Sequence, residues 1–222
     1  MKVKLLSRTL DPEHLIGIAA RSCWTQEGAS KLNPNPKKLE KLAKREVERG
    51  HESILEHAKF TFSIEGISRA CSHQLVRHRI ASYSQQSQRA VKIEEPDYVT
   101  PPQIQANSKL EEKYEQIMNQ AWKNYRELLD SKIPREDARF VLPNAAKTNI
   151  VMTMNARSLL HFLELRCCLH AQWEIRELAW KILSQTRKVA PTIFENAGPP
   201  CITRGECPEQ DSECKLYGAY VG

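Results

Sequence analysis

The sequence has few glycines, no long apolar run and no familiar dinucleotide-binding motif. Its eight glycines form neither the G-x-G-x-x-G fingerprint of a Rossmann fold nor the G-x-x-x-x-G-K loop of P-loop enzymes. The apolar stretch that follows Lys2 and Lys4 is interrupted at Ser7, which is too early for a signal peptide. No later stretch is long enough to cross a bilayer. We therefore expect a cytoplasmic protein that contacts no membrane.

Cysteine is present, but its spacing is not typical of disulfides or of zinc. The seven cysteines are an odd number spread from Cys23 to Cys214, which favours reduced thiols. Cys201, Cys207 and Cys214 are separated by five and six residues, unlike the close pairs of structural zinc sites. We expect no metal, and a metal bound by these three cysteines is the weaker alternative.

Apolar periodicity and capping residues predict a mainly helical chain. Asp11 before Pro12 and the two Asn-Pro pairs at residues 33–36 are typical helix starts, and Gly50 is a typical helix end. Strands are predicted at residues 3–6 and 57–64. Helices are predicted at about residues 12–24, 37–49, 68–79, 108–131, 134–142 and 155–189, the last as one long helix or two in series. Because strands and helices do not alternate regularly, we predict the α+β class.

Acidic residues are absent between Glu65 and Glu94, so the positive charge is concentrated there. Residues 66–93 carry a local charge of +5, against +6 for the whole chain. The charged members are Arg69, Arg77, Arg79, Arg89 and Lys92. Guanidinium groups beside serine and glutamine donors suit a phosphate. A solvated basic face, or arginines paired with distant carboxylates, is the structural alternative.

The segment after Asn155 places charged side chains on two sides of one helix. At 100° per residue, Arg157 and His161 share one side, and Arg166 lies opposite them among apolar residues. A guanidinium in that position is costly unless an anion meets it. Arg166 either points into a ligand pocket or reaches the surface, where water or a carboxylate would satisfy it.

Residues 77–89 read R-H-R-I-A-S-Y-S-Q-Q-S-Q-R. This segment resembles the signature of flavin-dependent thymidylate synthases, R-H-R-x-x-S followed by seven residues that end in S-x-R. Residues 50–57, 134–143, 155–166 and 170–175 are also similar to that family. The resemblance covers about residues 1–195, which predicts a single domain there, followed by an irregular tail at residues 196–222.

The resemblance implies a fold, an activity and an assembly. The fold would be mainly helical with a central antiparallel sheet. The activity would be the conversion of dUMP to dTMP, with methylenetetrahydrofolate as carbon donor and FAD reduced by NADPH. Members of the family are homotetramers whose sites draw residues from several subunits, so we expect a homotetramer here and no nucleic-acid partner.

The resemblance also assigns residues to each ligand. Those implied to bind dUMP are Gln74, Arg77, Gln85, Ser87, Arg89 and Arg139. Those implied to contact FAD are Ser53, Arg77, His78, Arg79, Gln85, Asn155, Arg157 and His161. Arg166 is implied to be catalytic, because it would activate the pyrimidine by favouring loss of its N3 proton. The chain departs from the common pattern at Ser84, Gln85 and Ala90, which weakens the contacts inferred around these positions.

Two other functions remain open at this point. A flavin- and folate-dependent enzyme that methylates uracil in RNA would use similar residues. A nucleic-acid-binding module would use residues 69–92 as a phosphate track, although Tyr83 is the only aromatic residue there that could stack on a base.

Overall fold

The computed structural model describes residues 1–32 and 35–216. Within them the chain forms two compact units, each assembled from separate stretches of sequence. Unit 1 comprises Met1–Lys2, Ile64–Arg77 and Tyr83–Val151. Unit 2 comprises Val3–Ser63, His78–Ser82 and Met152–Gly222, of which residues 33–34 and 217–222 lie outside the described residues. The prediction of one domain over residues 1–195 stays a prediction.

Four strands form one antiparallel sheet in the order β1-β2-β4-β3. They are β1 (Lys2–Arg8), β2 (Lys59–Ser68), β3 (Ser82–Gln85) and β4 (Lys147–Asn155). Side chains of β2 and β4 alternate between buried and more exposed positions, as expected of strands with one core-facing side. The sequence predicted β1 and β2 but not β3 and β4. The predicted α+β class, mainly helical with an antiparallel sheet, is confirmed.

The helices are α1 (Pro12–Ser22), α2 (Pro36–Glu48), α3 (Arg69–Leu75), α4 (Pro102–Gln105), α5 (Ser108–Asp130), α6 (Arg135–Ala138), α7 (Ala156–Arg166), α8 (Trp173–Val189), α9 (Pro191–Phe194) and α10 (Pro200–Thr203). Short 3-10 turns lie at Ala29–Lys31, Glu52–His57 and Arg139–Val141. Of the Asn-Pro pairs, Asn33 and Pro34 lie outside the described residues. Asn35 caps α2 by accepting from the Lys37 amide at 2.9 Å.

One predicted helix end was wrong, whereas the two-helix alternative for residues 155–189 is the one observed. We predicted a helix through Arg79, but α3 ends at Leu75, whose carbonyl accepts from the Tyr83 hydroxyl at 2.9 Å. Residues 155–189 form two helices. The Trp180 indole donates to the Cys167 carbonyl at 3.2 Å just past α7, and Gln172 caps α8 by accepting from the Glu174 amide at 2.9 Å.

Each unit has its own apolar centre. In unit 1, Met118 and Trp122 of α5 are buried against Ala146, with Tyr98 and Tyr114 packed around them. The core of unit 2 includes a set of fully buried side chains: Ile16, Leu39, Phe60, Phe62, Phe162 and Phe194. The rings of Phe60 and Phe194 meet edge to face, with 5.3 Å between their centroids.

The predicted irregular tail begins inside the core of unit 2. Ala197 and Cys201 are buried, and the Arg187 side chain donates to the Ala197 carbonyl at 2.9 Å. One helical turn, α10, interrupts the otherwise irregular stretch of residues 196–216. No helix within residues 1–32 and 35–216 is both long and apolar enough to cross a membrane.

Candidate functional site

The residues predicted to bind dUMP all lie in unit 1. They are Gln74 on α3, Arg77 just after it, Gln85 at the end of β3, Ser87 and Arg89 in the following loop, and Arg139 in the turn after α6. Residues that are far apart in the sequence therefore belong to one compact unit. This placement supports the prediction without testing any contact to a ligand.

Gln85 is held by two buried hydroxyl groups. Its amide nitrogen donates to the Ser72 hydroxyl at 3.1 Å and to the Thr148 hydroxyl at 3.2 Å. Ser72 lies on α3 and Thr148 on β4, and both side chains are buried. Gln85 is thereby fixed within unit 1 before any ligand binds. Neither hydroxyl was singled out from the sequence, because nothing local links them to Gln85.

Glu136 on α6 anchors two of the predicted dUMP-binding arginines. Its carboxylate accepts from Nε of Arg89 at 3.0 Å, and its backbone carbonyl accepts from Nε of Arg139 at 3.0 Å. The Ser87 hydroxyl accepts from the Arg89 amide at 3.2 Å, which helps to order the loop. Because both arginines are anchored through Nε, their terminal nitrogens remain available to an anion. Glu136 was missed as a site residue.

Arg69, the first residue of α3, is a further cation of unit 1. Its Nη1 atom is buried and has no hydrogen-bond partner within the described residues. Burial, and next the charge of Arg139, lower the pKa of Arg69 below its ordinary value. The two guanidinium groups are therefore close enough to repel each other. The sequence marked Arg69 as part of the basic segment and assigned it no ligand.

The charges of the basic segment divide into paired and unpaired groups. Arg89 pairs with Glu136 at 3.0 Å, and Lys92 pairs with Glu94 at 2.9 Å. Arg69, Arg77 and Arg79 form no ion pair within residues 1–32 and 35–216. The alternative of arginines paired with distant carboxylates therefore holds for Arg89 alone. The three unpaired arginines leave a strong positive charge along this segment.

Most residues predicted to contact FAD lie in unit 2, with Arg77 and Gln85 in unit 1 as the exceptions. The members in unit 2 are Ser53, His78, Arg79, Asn155, Arg157 and His161. Ser53, Arg79, Arg157 and His161 have exposed side chains. Asn155 has a structural task as well, because its side chain caps α7 by accepting from the Ser158 amide at 2.9 Å.

Arg157 forms ion pairs with two carboxylates. Its Nε lies 3.2 Å from Glu52 and its Nη1 lies 2.7 Å from Glu56, both in the 3-10 turn that carries Ser53. These pairs connect α7 to that turn. Since all three side chains are about half exposed, solvent screens the charges and the pairs contribute little to stability. A ligand can compete for this guanidinium at low cost.

Arg166 at the end of α7 is held by a histidine. Its Nε donates to Nε2 of His78 at 3.1 Å. The His78 ring meets the buried Phe162 ring edge to face, with 5.0 Å between centroids, and lies 6.2 Å from the His161 ring. Within the described residues Arg166 is half-buried and has no carboxylate partner, so the alternative of an ion pair does not apply. Its guanidinium is instead oriented by a neutral ring.

The environment of His78 keeps this ring uncharged. Burial is the main cause that lowers the pKa of His78 to about 4, and the charges of Arg166 and His161 lower it further. At neutral pH the ring is therefore neutral. Because Nε2 accepts from Arg166, the ring proton must lie on Nδ1. His78 can then hold Arg166 without adding positive charge.

Two cysteines, Cys167 and Cys201, are less acidic than an ordinary thiol. All seven cysteines are free. Burial raises the pKa of the Cys167 thiol to about 12 and raises the pKa of Cys201 as well. Cys71 is fully buried, and Cys168 is half-buried. Within the described ranges, no group of three histidine, cysteine or acidic residues could hold a metal ion.

Comparison with known proteins decides the family. The family model described as thymidylate synthase complementing protein (Thy1) matches residues 4–192. The chain belongs to this family. Residues 77–89, which suggested the family, lie inside the matched range, and the resemblance is confirmed.

Curated relatives span almost the same length as this chain. A flavin-dependent thymidylate synthase of Geobacter sulfurreducens is 51% identical over 224 residues, covering 96% of this chain and 94% of the relative. Proteins of the same name from Pyrococcus furiosus and Clostridium tetani are 46% and 42% identical, covering 95% and 96% of this chain and 91% and 93% of themselves.

A solved structure has the same fold. It is the crystal structure of a UMP/dUMP methylase from Streptomyces cacaoi bound to 5-Br dUMP. The TM-score is 0.77 at 25% sequence identity, and the match covers 87% of this chain and 93% of the other. The likeness extends over most of the described residues.

Proposed function

We propose that the protein is a flavin-dependent thymidylate synthase that methylates dUMP to dTMP, with methylenetetrahydrofolate as carbon donor and FAD reduced by NADPH. Relatives of that name at 42–51% identity over most of the chain support the reaction. The observation that carries the proposal is the hydrogen bond between Arg166 and the neutral His78, because it supplies an oriented cation without a protein nucleophile.

Unit 1 supplies the groups that suit a nucleotide phosphate. Arg89 and Arg139 are anchored through Nε by Glu136, so each can direct terminal nitrogens towards an anion. Ser87 adds a hydroxyl beside Arg89. We assign these three residues to the phosphate of dUMP and assign Gln74, Arg77 and Gln85 to the rest of the nucleotide.

The charge and donors of unit 2 fit a flavin dinucleotide, whose diphosphate is anionic. Arg79 is exposed and unpaired within the described residues, Ser53 presents an exposed hydroxyl, and Arg157 is held only by exposed carboxylates. We assign these residues to FAD together with Arg77, His78, Gln85, Asn155 and His161. When bound, the reduced flavin supplies the hydride that completes the methyl group.

Arg166 is the residue that we assign to activation of the base. Carbon 5 of uracil becomes nucleophilic when negative charge develops at the N3 and O4 edge, and a fixed guanidinium there stabilises that charge. His78 fixes the Nε side of Arg166, so both terminal nitrogens remain free to face the base. The protein thereby needs no covalent attack on the base, which agrees with the raised pKa of the Cys167 and Cys201 thiols.

The proposal is tested with the purified holoprotein. We expect a flavin absorption spectrum and formation of dTMP from dUMP when NADPH and methylenetetrahydrofolate are present. Arg166→Ala should abolish turnover while the flavin stays bound, because Arg166 acts on the base. Arg126→Ala is the matched control, since its guanidinium contacts only the Glu94 carbonyl and the exposed Glu95 carboxylate within the described residues.

Three outcomes would contradict parts of this assignment. Unchanged turnover in Arg166→Ala would remove Arg166 from the mechanism. Methylation of uracil in RNA with no product from free dUMP would favour an RNA-modifying enzyme. A colourless protein that binds nucleic acid with steep salt dependence would indicate a binding module. The homotetramer and the cytoplasmic location remain proposals, and the former is tested by the mass of the holoprotein in solution.

A further inference from the structure

Buried polar atoms without hydrogen-bond partners are uncommon, and those in this protein differ in the free energy that their burial costs. Within residues 1–32 and 35–216 the atoms are Arg69 Nη1, Gln88 Nε2, Trp122 Nε1 and the Tyr125 hydroxyl. Three of these belong to neutral groups. Arg69 is the charged member of the set, and desolvation of a charged group costs more than that of a neutral one.

The backbone of Arg69 is fixed from two sides. Its amide donates to the Ala146 carbonyl at 3.0 Å, and its carbonyl accepts from the Ser72 hydroxyl at 2.9 Å. Ser72 in turn accepts from the amide of Gln85. The next residue, Ala70, donates to the Asn144 carbonyl at 3.0 Å, which joins the start of α3 to the chain just after Arg139. Arg69 is therefore built into the same set of contacts as the predicted nucleotide residues.

The guanidinium of Arg69 is enclosed on one side and open on the other. Nη1 is buried, whereas Nε and Nη2 are not fully buried and form no hydrogen bond within the described residues, and the residue as a whole is half-buried. A ligand could therefore reach the charge of Arg69 through Nε and Nη2. A protein that only needed to solvate this arginine would leave Nη1 in water as well.

Nothing in the described residues neutralises this charge. The neighbouring charge that affects Arg69 is that of Arg139, which has the same sign. Glu136, whose backbone carbonyl holds Arg139, has its carboxylate engaged with Arg89 at 3.0 Å. Arg69 and Arg139 therefore repel each other, and the carboxylate of Glu136 is already paired with Arg89. A bound anion would reduce the repulsion between the two unpaired guanidinium groups.

We propose that Arg69 is a third guanidinium of the phosphate subsite, beside Arg89 and Arg139, and that it binds the phosphate monoester of dUMP. This inference rests on the proposed function, because it takes dUMP as the ligand. A phosphate monoester carries close to two negative charges at neutral pH and three acceptor oxygens, so it can be shared by several guanidinium groups.

The test compares a nucleotide with its nucleoside in the holoprotein. The dissociation constants of dUMP and deoxyuridine are measured for the wild type, for Arg69→Met and for Arg126→Met. Arg69→Met keeps the aliphatic stem and removes the charge. We expect it to weaken dUMP binding by roughly 10- to 100-fold, the loss of one charge-assisted contact, with deoxyuridine binding unchanged. Arg126→Met should match the wild type for both ligands.

Each outcome separates this inference from the proposed function. If the wild type does not bind dUMP, the proposed function fails. If the wild type prefers dUMP to deoxyuridine and Arg69→Met keeps the same preference, the role of Arg69 is refuted. If Arg69→Met binds neither ligand, the same two dissociation constants are measured for Arg69→Gln. The thermal unfolding of Arg69→Gln and of the wild type is then also measured with and without inorganic phosphate. Stabilisation by phosphate that is equal in the wild type and in Arg69→Gln would overturn the inference.

Discussion

The pKa of His78 offers a direct test of the contact that holds Arg166. Burial is the main cause that lowers this pKa to about 4, and the charge of Arg166 is the second cause. Replacing Arg166 by Gln removes the second cause and leaves the first. We therefore expect the pKa of His78 to rise above about 4 in Arg166→Gln and to stay below the ordinary value of about 6.5.

The expected change is large enough to observe at moderately acidic pH. At pH 6, a histidine with a pKa of about 6.5 is about 76% protonated, whereas one with a pKa of about 4 is about 1% protonated. His78 should be silent in a titration of the wild type between pH 8 and 6. In Arg166→Gln its transition should move up towards this range, without reaching that of an exposed histidine.

Nuclear magnetic resonance of the histidine rings measures this transition. The chain has seven histidines, and the signal of His78 is assigned by its absence in His78→Gln. Arg79→Gln is the matched control, because Arg79 is not among the causes that lower the pKa of His78. A His78 pKa near 6.5 in the wild type, or an unchanged pKa in Arg166→Gln, would refute the contact between the two side chains.

The lowered pKa of His78 also determines in which direction the stability of the protein changes with pH. Because the pKa of His78 is lower in the folded protein than in the unfolded chain, the unfolded chain binds more protons between about pH 4 and 6.5. The contribution of His78 to stability is therefore fully present above about pH 6.5 and decreases as the pH falls towards 4. Arg166→Gln should make this decrease smaller.

Two further predictions concern unit 1. Glu136→Gln should raise the KM for dUMP several-fold with little change in kcat, because Arg89 loses its charged anchor. Steady-state kinetics measures this, with Glu94→Gln, which affects only a surface ion pair, as the control. An unchanged KM would argue against the anchoring role of Glu136. Trp122→Ala should lower the free energy of unfolding, measured by urea titration, by about 3–5 kcal/mol, because Trp122 is fully buried. Trp24 is 65% exposed, so Trp24→Ala should change the free energy of unfolding by less than about 0.5 kcal/mol. Equal effects of the two substitutions would contradict the assigned core.

Local signals predicted the parts of the fold that depend on neighbouring residues. Pro12 and Pro36 open α1 and α2 as expected, and Gly50 ends the second helix region with a φ of 81° that favours glycine. The motif at residues 77–89 identified the family. These features need no information from distant parts of the chain.

The missed features all depend on contacts between distant residues. The end of α3 is set by the Tyr83 hydroxyl, and the anchoring of Arg89 depends on Glu136, 47 residues away. The orientation of Arg166 depends on a hydrogen bond to His78, 88 residues away. No periodicity or spacing in the sequence indicates such pairs, whereas the positions of the individual arginines could be predicted from the motif.

Glu136 has a consequence for how substitutions in the site combine. Its carboxylate holds Arg89 and its carbonyl holds Arg139, so a shift of α6 moves both guanidinium groups together. The effects of replacing these two arginines on dUMP affinity should therefore be non-additive in a double-mutant cycle, although they lie far apart in the sequence. A substitution of Glu136 removes the carboxylate that holds Arg89 and keeps the backbone carbonyl that holds Arg139, so only a displacement of α6 affects both arginines.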